Sequence, residues 1–330
     1  KHVSKGHDHN MRYLEALRKE ILSYYQLYPH VDTIYIGGGT PTALSHDELI
    51  YLFESLTMYQ PVEYTIEVNP ESYDHQKGQL FKTYGINRVS LGVQTFHQKH
   101  LERLNRKHTN PMVFETIDSL KSLDIQNINV DLIYALEHQT VEDLHQDIDT
   151  IIKLDIPHVS AYSLIIEEKT FFSHQLKRNK FIQTDEDTEA TMYDIVMDRF
   201  KEAGYNHYEI SNYAKNNQTS LHNTLYWTLQ DYIGVGLGAH GFIDKKRTYN
   251  HKAMSKYIMD PLKESVDQDE TTLRNDHLLF LLRMTQGIDL NMVKSNYEHD
   301  IFELFPSLIQ YIDDGLLIIE NDHLKLTRRG

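Results

Sequence analysis

Four polar positions close apolar runs of the chain, and their types suit ligand binding at the ends of strands. The first is the glycine run Gly37-Gly38-Gly39-Thr40 inside TIYIGGGTPTAL, residues 33–44. It follows a short β-rich run and precedes Ser45 and Glu48, the spacing of a helix-starting capping box. Glycine there lets backbone N–H groups approach a ligand, because no Cβ intervenes. A tight turn between strand and helix explains the same glycines without a ligand. The stretch is neither a P-loop nor a Gly-x-Gly-x-x-Gly dinucleotide fingerprint. The other three positions are Glu67 with Asn69-Pro70, Gln94, and Asp131. Buried carboxylates need partners, and Arg103 and Arg106 follow the Gln94 run. A structural network of ion pairs is the alternative to a binding cleft.

A fifth candidate lies in HNTLYW, residues 222–227, which holds the only tryptophan of the chain. His222 could ligate a haem iron, with Tyr226 and Trp227 as an aromatic wall. The competing reading is a core histidine under an aromatic cluster. A second glycine-rich loop, residues 232–241, carries His240.

The elements that must position these residues are legible as alternating periodicities. Strand-like runs cover 33–36, 64–68, 88–93, 128–133 and 158–166. Helix-like stretches cover 11–25, 47–57, 75–84, 112–123, 141–154 and 186–203. Thr140 with Asp143 and Thr184 with Asp187 read as further capping boxes. Repeated β-then-α units predict a parallel sheet with right-handed crossovers. With no dinucleotide fingerprint after the first strand, a barrel or partial barrel is expected over a doubly wound sheet. In such sheets ligand groups gather at the carboxyl ends of the strands. From residue 252 the pattern is helical (278–284, 290–297, 305–312). It ends in two short strand runs about a turn at Asn321-Asp322, as in a winged-helix-like module.

Composition narrows the function. The 330 residues carry a net charge of -15, which argues against a nucleic-acid binder. No apolar run approaches the ~18 residues of a membrane span. There is no cysteine, which leaves no disulfide and no thiolate metal site within this sequence and fits a cytoplasmic protein. Residues 1–10, with His2, His7 and His9, read as a solvated leader. The chain starts at Lys1 rather than Met, so it is read as beginning inside a longer protein.

Taken together, IGGGTPTA, IEVNPE, NRVSLGVQTFH and VDLIYA resemble the oxygen-independent coproporphyrinogen III oxidase-like branch of the radical S-adenosylmethionine (SAM) family. The YEISNYA and HNTLYW segments, residues 208–214 and 222–227, look like its haem-chaperone subgroup. The resemblance implies an α/β fold, a partial (β/α)6 radical-SAM barrel over 1–214. A connecting segment would follow at 215–250 and a C-terminal module at 251–330. It implies that Gly38, Gly39 and Thr40 receive the methionine part of SAM and that Glu67, Gln94, Arg106 and Asp131 supply further SAM contacts. It also implies that His222 touches haem and that apo-haemoproteins receive the haem. The family anchors a [4Fe–4S] cluster on three cysteines that this sequence lacks, and they are expected upstream. Where the family has Gly-Leu-Pro before a Gln-Thr pair, this chain has Ala135-Leu136-Glu137-His138. The expected function is haem delivery; the alternative is oxidative decarboxylation of coproporphyrinogen III.

Overall fold

The structure is a computed structural model that describes residues 6–330. His2 lies outside the described residues. His7 and His9 do not sit in a solvated leader: they open a helix, His7–Leu27, that starts four residues before the expected one. Contacts divide the chain into two compact units. Among the described residues, one comprises residues 6–14, 24–207 and 211–219, the other residues 15–23, 208–210 and 220–330.

The first unit is built on strands β1 (Thr33–Ile36), β2 (Glu63–Val68), β3 (Arg88–Gln94), β4 (Asn127–Tyr134) and β5 (His158–Ser163). With β6 (Asn206–Glu209) and β7 (Asn212–Ala214) they form a sheet of order β1-β2-β3-β4-β5-β7-β6. β1 to β5 pair in parallel and β7 pairs antiparallel with β5. A doubly wound sheet reverses its order at a switch point. Here the parallel strands follow one another in chain order, as in the expected partial barrel.

Helices His46–Glu54, His75–Thr83, Asn110–Ser122 and Val141–Lys153 connect successive strands. Ser45 and Thr140 cap two of them through complete capping boxes, as their spacing predicts. Thr184 does not cap the helix Glu186–Glu202. Asp185 does, accepting from Thr188 N–H, while the Thr184 hydroxyl donates to the Ala135 carbonyl at 3.0 Å. An aspartate one residue nearer the helix supplies the stronger acceptor.

Alternation along the strands sorts the sheet into two chemistries. One face carries Tyr64, Ile66 and Val68, then Val89, Leu91 and Val93, then Ile128, Val130 and Leu132, all buried. The helices bury matching stripes that include Leu49, Phe53, Phe81, Val113, Ile117, Leu144 and Ile148. Each such side chain contributes about 1.5–3 kcal/mol through burial. The other face is polar: Tyr35; Glu63, Thr65 and Glu67; Arg88, Ser90 and Gln94; Asn129 and Asp131; His158 and Ser160. Most of these are nonetheless buried, so their polar atoms must find one another.

In the second unit, Leu278, Ile288, Val293, Ile301, Leu317 and Leu324 form the core of the C-terminal module. Its helices are Glu270–Leu281, Leu290–Tyr297, Ile301–Leu304 and Leu308–Asp313. The small sheet joins β11 (Ile288–Asp289), β12 (Leu317–Glu320) and β13 (His323–Leu326). The turn between the last two strands holds Asn321 and Asp322 at φ 50° and 60°, the left-handed pair that a tight hairpin requires. A second sheet joins β8 (His240–Ile243), β9 (Lys246–Asn250) and β10 (Leu262–Asp267). The reading of helix from residue 252 up to the final hairpin is therefore corrected at β10, while the hairpin itself forms as read. Every residue of β10 is exposed, so no buried face marks it in the sequence.

Candidate functional site

The strand ends of the first unit meet around Glu67. Its Oε2 accepts from the Gly38 N–H at 3.1 Å, and its Oε1 accepts from the Tyr35 hydroxyl at 3.0 Å. A Cβ on Gly37 would lie 2.7 Å from Glu67 Oε1 and from the Tyr35 ring, so a larger residue there would displace the two side chains that make this contact. Gly38 and Gly39 take φ 81° and 85°, and a Cβ on either would meet nothing within 4 Å. The loop is thus tied to β2 on one side and open on the other. Its far end is tied down by Lys77, whose Nζ donates to the carbonyls of Thr42 and Ser72, both at 2.7 Å.

Asn69 links two more of the candidate residues. Its Nδ2 donates to Thr40 Oγ1 at 3.1 Å, and its Oδ1 accepts from Arg106 Nη1 at 3.1 Å. Gln94 sits where the β3–β4 register slips, at φ 70°, and is buried. A Cβ on Gly92 would meet Gln94 Nε2 at 3.0 Å and Asn69 Oδ1 at 3.1 Å, so that glycine makes room for both amides. Arg103, the other cation expected nearby, pairs with Glu137 instead.

Asp131 joins this group through charge rather than through a direct bond. Its Oδ1 accepts from Asn129 Nδ2 at 2.7 Å and from the Ser90 hydroxyl at 3.2 Å. A chain of bonds continues behind it: His158 Nδ1 lies 2.6 Å from Asn129 Oδ1, and Ser160 donates to the same oxygen at 3.1 Å. With Asn129 Nδ2 committed to Asp131, the His158 contact is best made by an Nδ1–H donor. Burial, with the charge of Glu67 added, pushes the Asp131 carboxyl up to about 6. The same burial holds the Tyr35 hydroxyl in its neutral form, with Glu67 the next contributor.

Tyr35, Ser90 and Asn129 support the candidate residues without standing out individually in the sequence. The available signal was their period of two: each is a polar residue on a strand whose alternate positions are apolar.

His222 belongs to the second unit, in the helix Leu221–Trp227 capped by Ser220. It shares a face with Tyr226, as its spacing predicts, with Nε2 2.8 Å from the Tyr226 hydroxyl. Tyr232 meets the Tyr226 ring edge-on at 4.7 Å. Burial pushes the Tyr226 phenol up to about 12, so it stays protonated. Trp227 does not complete a wall around His222. Its ring stacks under the Arg283 guanidinium at 4.3 Å and meets Phe280 at 6.3 Å. Arg283 also lies 3.5 Å from the fully buried Glu209. The exposed His240 packs against Tyr249, with ring centroids 4.9 Å apart. Beside it the glycine loop is held by Glu20, which accepts from Gly236 N–H at 2.9 Å, Asn250 Nδ2 at 2.6 Å and the Tyr257 hydroxyl at 2.5 Å.

These donor sets suit some groups and not others. The open glycine loop, Glu67 and the Thr40–Asn69–Arg106 chain offer hydrogen-bond donors and carboxylate acceptors to a zwitterionic ligand such as the methionine part of SAM. A [4Fe–4S] cluster needs thiolates, and no residue of this chain is a cysteine. Among the described residues no group of three or more His, Asp or Glu is placed to hold a metal ion, and no helix is long and apolar enough to cross a membrane.

The raised Asp131 has a consequence for stability. Its ordinary value is 3.8 and its folded value about 6, so folding disfavours the ionised form. Its contribution is fully present below pH 4 and is lost as pH rises through 6. Relative to Asp131→Asn, the unliganded protein should lose about 2 kcal/mol between pH 4 and pH 7, at about 1.4 kcal/mol per unit. Urea unfolding of both proteins across that range measures it, and a pH-independent difference would contradict the assignment.

Comparison with known proteins agrees with this architecture. Residues 2–151 match the radical SAM superfamily and residues 269–330 the HemN C-terminal domain. Heme chaperone HemW of Bacillus subtilis is 35% identical over 96% of this chain and 88% of its own length. The HemW of Lactococcus lactis is 33% identical over 96% and 86%. Coproporphyrinogen III oxidase (HemN) of Escherichia coli superposes with a TM-score of 0.86 over all of this chain and 82% of its own, at 20% identity, a likeness of fold. With matches at this identity along nearly the whole sequence, the chain belongs to the HemW family of radical SAM proteins.

Proposed function

We propose that this chain binds haem and delivers it to apo-haemoproteins, and that its barrel binds SAM across the strand ends. The observation that carries the haem reading is the half-buried His222, flanked by Tyr226 and Tyr232 in the segment that resembles the haem-binding motif of the subgroup. A neutral imidazole is a good iron ligand. Iron at Nε2 would replace the bond to Tyr226, whose protonated hydroxyl is then left to face the porphyrin edge. Trp227, held by Arg283, anchors the helix rather than covering the ring. The oxidase alternative draws support from likeness of fold alone. A cytoplasmic setting agrees with the absence of cysteine.

For SAM, Gly38, Gly39 and Thr40 would hold the methionine end, and Glu67 and Asp131 would attract its positive charges. Arg106, set by Asn69, and Gln94 complete the cleft. SAM supplies the sulfonium and adenosyl chemistry of the superfamily; the chain's own residues bind and orient it. The [4Fe–4S] group of that chemistry has no ligand set among these residues.

Two substitutions test the two halves separately. Glu67→Ala removes a charged acceptor and should weaken SAM binding by about 1.5–3 kcal/mol in calorimetry; unchanged affinity would remove Glu67 from the cleft. His222→Ala should weaken haem binding by roughly 10- to 100-fold, at least the effect of losing a partner of a metal ligand. It should also shift the Soret band while leaving the melting temperature nearly unchanged. Intact haem binding in a stable His222→Ala protein would move the ligand elsewhere, with His240 the next residue to test.

A further inference from the structure

The helix Leu221–Trp227 presents two sides. His222 and Tyr226 share one of them. Trp227, five positions after His222, is turned about 140° away from it at the helical repeat. What meets the Trp227 side comes from the C-terminal module. The Arg283 guanidinium lies 4.3 Å over the indole ring, and Phe280 meets the same ring edge-on at 6.3 Å. Arg283 Nη2 is also 3.5 Å from Oε2 of the fully buried Glu209. The backbone repeats this link. Ile210 N–H donates to the Arg283 carbonyl at 3.0 Å, Thr285 N–H donates to the Tyr208 carbonyl at 3.1 Å, and Glu209 bridges Met284 between them. Tyr208 then reaches the other end of the helix, where its hydroxyl accepts from the N–H of the capping residue Ser220 at 3.2 Å. One paired structure, residues 208–210 with 283–285, thus holds the helix at both ends, and all of it belongs to the second unit.

We propose that Arg283 is a positioning residue for haem: it fixes the helix through Trp227, so that His222 is presented to the ligand in one orientation. The proposal rests on the haem reading above. Arginine suits the place because its guanidinium is flat. One plane lies against the indole face while its N–H groups still reach a carboxylate. The ion pair with Glu209 keeps that plane from swinging off the ring. A lysine would supply the charge without the face. Because Arg283 acts on the side of the helix turned away from His222, its effect on haem passes through the helix.

Trp227, the only tryptophan of the chain, reports the stack directly. Without haem, its emission should move to longer wavelength in Arg283→Met and, less far, in Arg283→Lys. Emission that stays in place in either folded variant overturns the proposal. Haem titration then compares wild type, Arg283→Met, His222→Ala and the double variant. Arg283→Met should weaken haem binding by roughly 10-fold, as losing a group behind a metal ligand does. In the His222→Ala background the same change should cost less than about twofold, since a residue that acts through His222 has nothing left to position. Unchanged affinity of Arg283→Met, or an equal loss in both backgrounds, overturns the proposal. If Arg283→Met does not fold, Arg283→Lys takes its place in the cycle. It keeps the charge beside Glu209 but not the flat face, and it should weaken haem binding several-fold. Wild-type affinity of Arg283→Lys would mean that charge alone is needed, which overturns the stacking role. The two readings fail differently. Wild-type haem affinity in His222→Ala removes the haem assignment and this proposal with it, whereas weak binding in His222→Ala with no effect of Arg283 removes this proposal alone.

Discussion

The first unit depends on a single carboxylate that makes two bonds. Glu67 takes the Gly38 N–H on one oxygen and the Tyr35 hydroxyl on the other. Tyr35 belongs to β1, Gly38 to the loop that leaves it, and Glu67 to the neighbouring strand. The side chain therefore fixes the glycine loop against the sheet at the point where the backbone must stay open. Gly37 leaves room for this arrangement, since a Cβ there would push the Glu67 carboxylate or the Tyr35 ring aside. Charge-assisted bonds of this kind are short and strong, so a loop with two left-handed glycines can still have a defined shape.

Behind that loop the sheet divides its labour by alternation. The apolar face and the helices hold the fold together through burial. The polar face is nearly as buried but is organised by hydrogen bonds, from His158 through Asn129 to Asp131. Such networks carry a large penalty if left incomplete. Here the near-complete bonding around Asp131 contrasts with the unpaired donors of Arg88. The second unit repeats the device of a single buried carboxylate. Glu20 binds Gly236, Asn250 and Tyr257 and so fixes the other glycine loop.

Much of this was legible in the sequence, and what was not has identifiable causes. β1 and the helix start at Ser45 were readable because apolar runs and capping boxes are local signals. Glu67 and Asp131 were readable as carboxylates on otherwise apolar runs, although β4 continues past Asp131 to Tyr134. Arg88 was not, because it opens a strand and a fully buried cation runs against compositional expectation. The partner of Trp227 was also hidden, since Arg283 lies on a different segment of the chain and no local pattern links them. β10 escaped notice because it is exposed along its whole length. At Ala135 the family's glycine is replaced, yet the residue still takes φ 55°. An alanine here takes a left-handed turn, with Gln139 Oε1 accepting from the Leu136 N–H at 3.1 Å beside it.

The central claim is that the loop tied by Glu67 is the place where SAM binds. Amide hydrogen exchange, followed with and without saturating SAM, tests it most directly. The account predicts slower exchange at residues 37–40 and 92–94 in the presence of SAM, with no change over 262–267. Bound SAM that leaves exchange at 37–40 unaltered would contradict it.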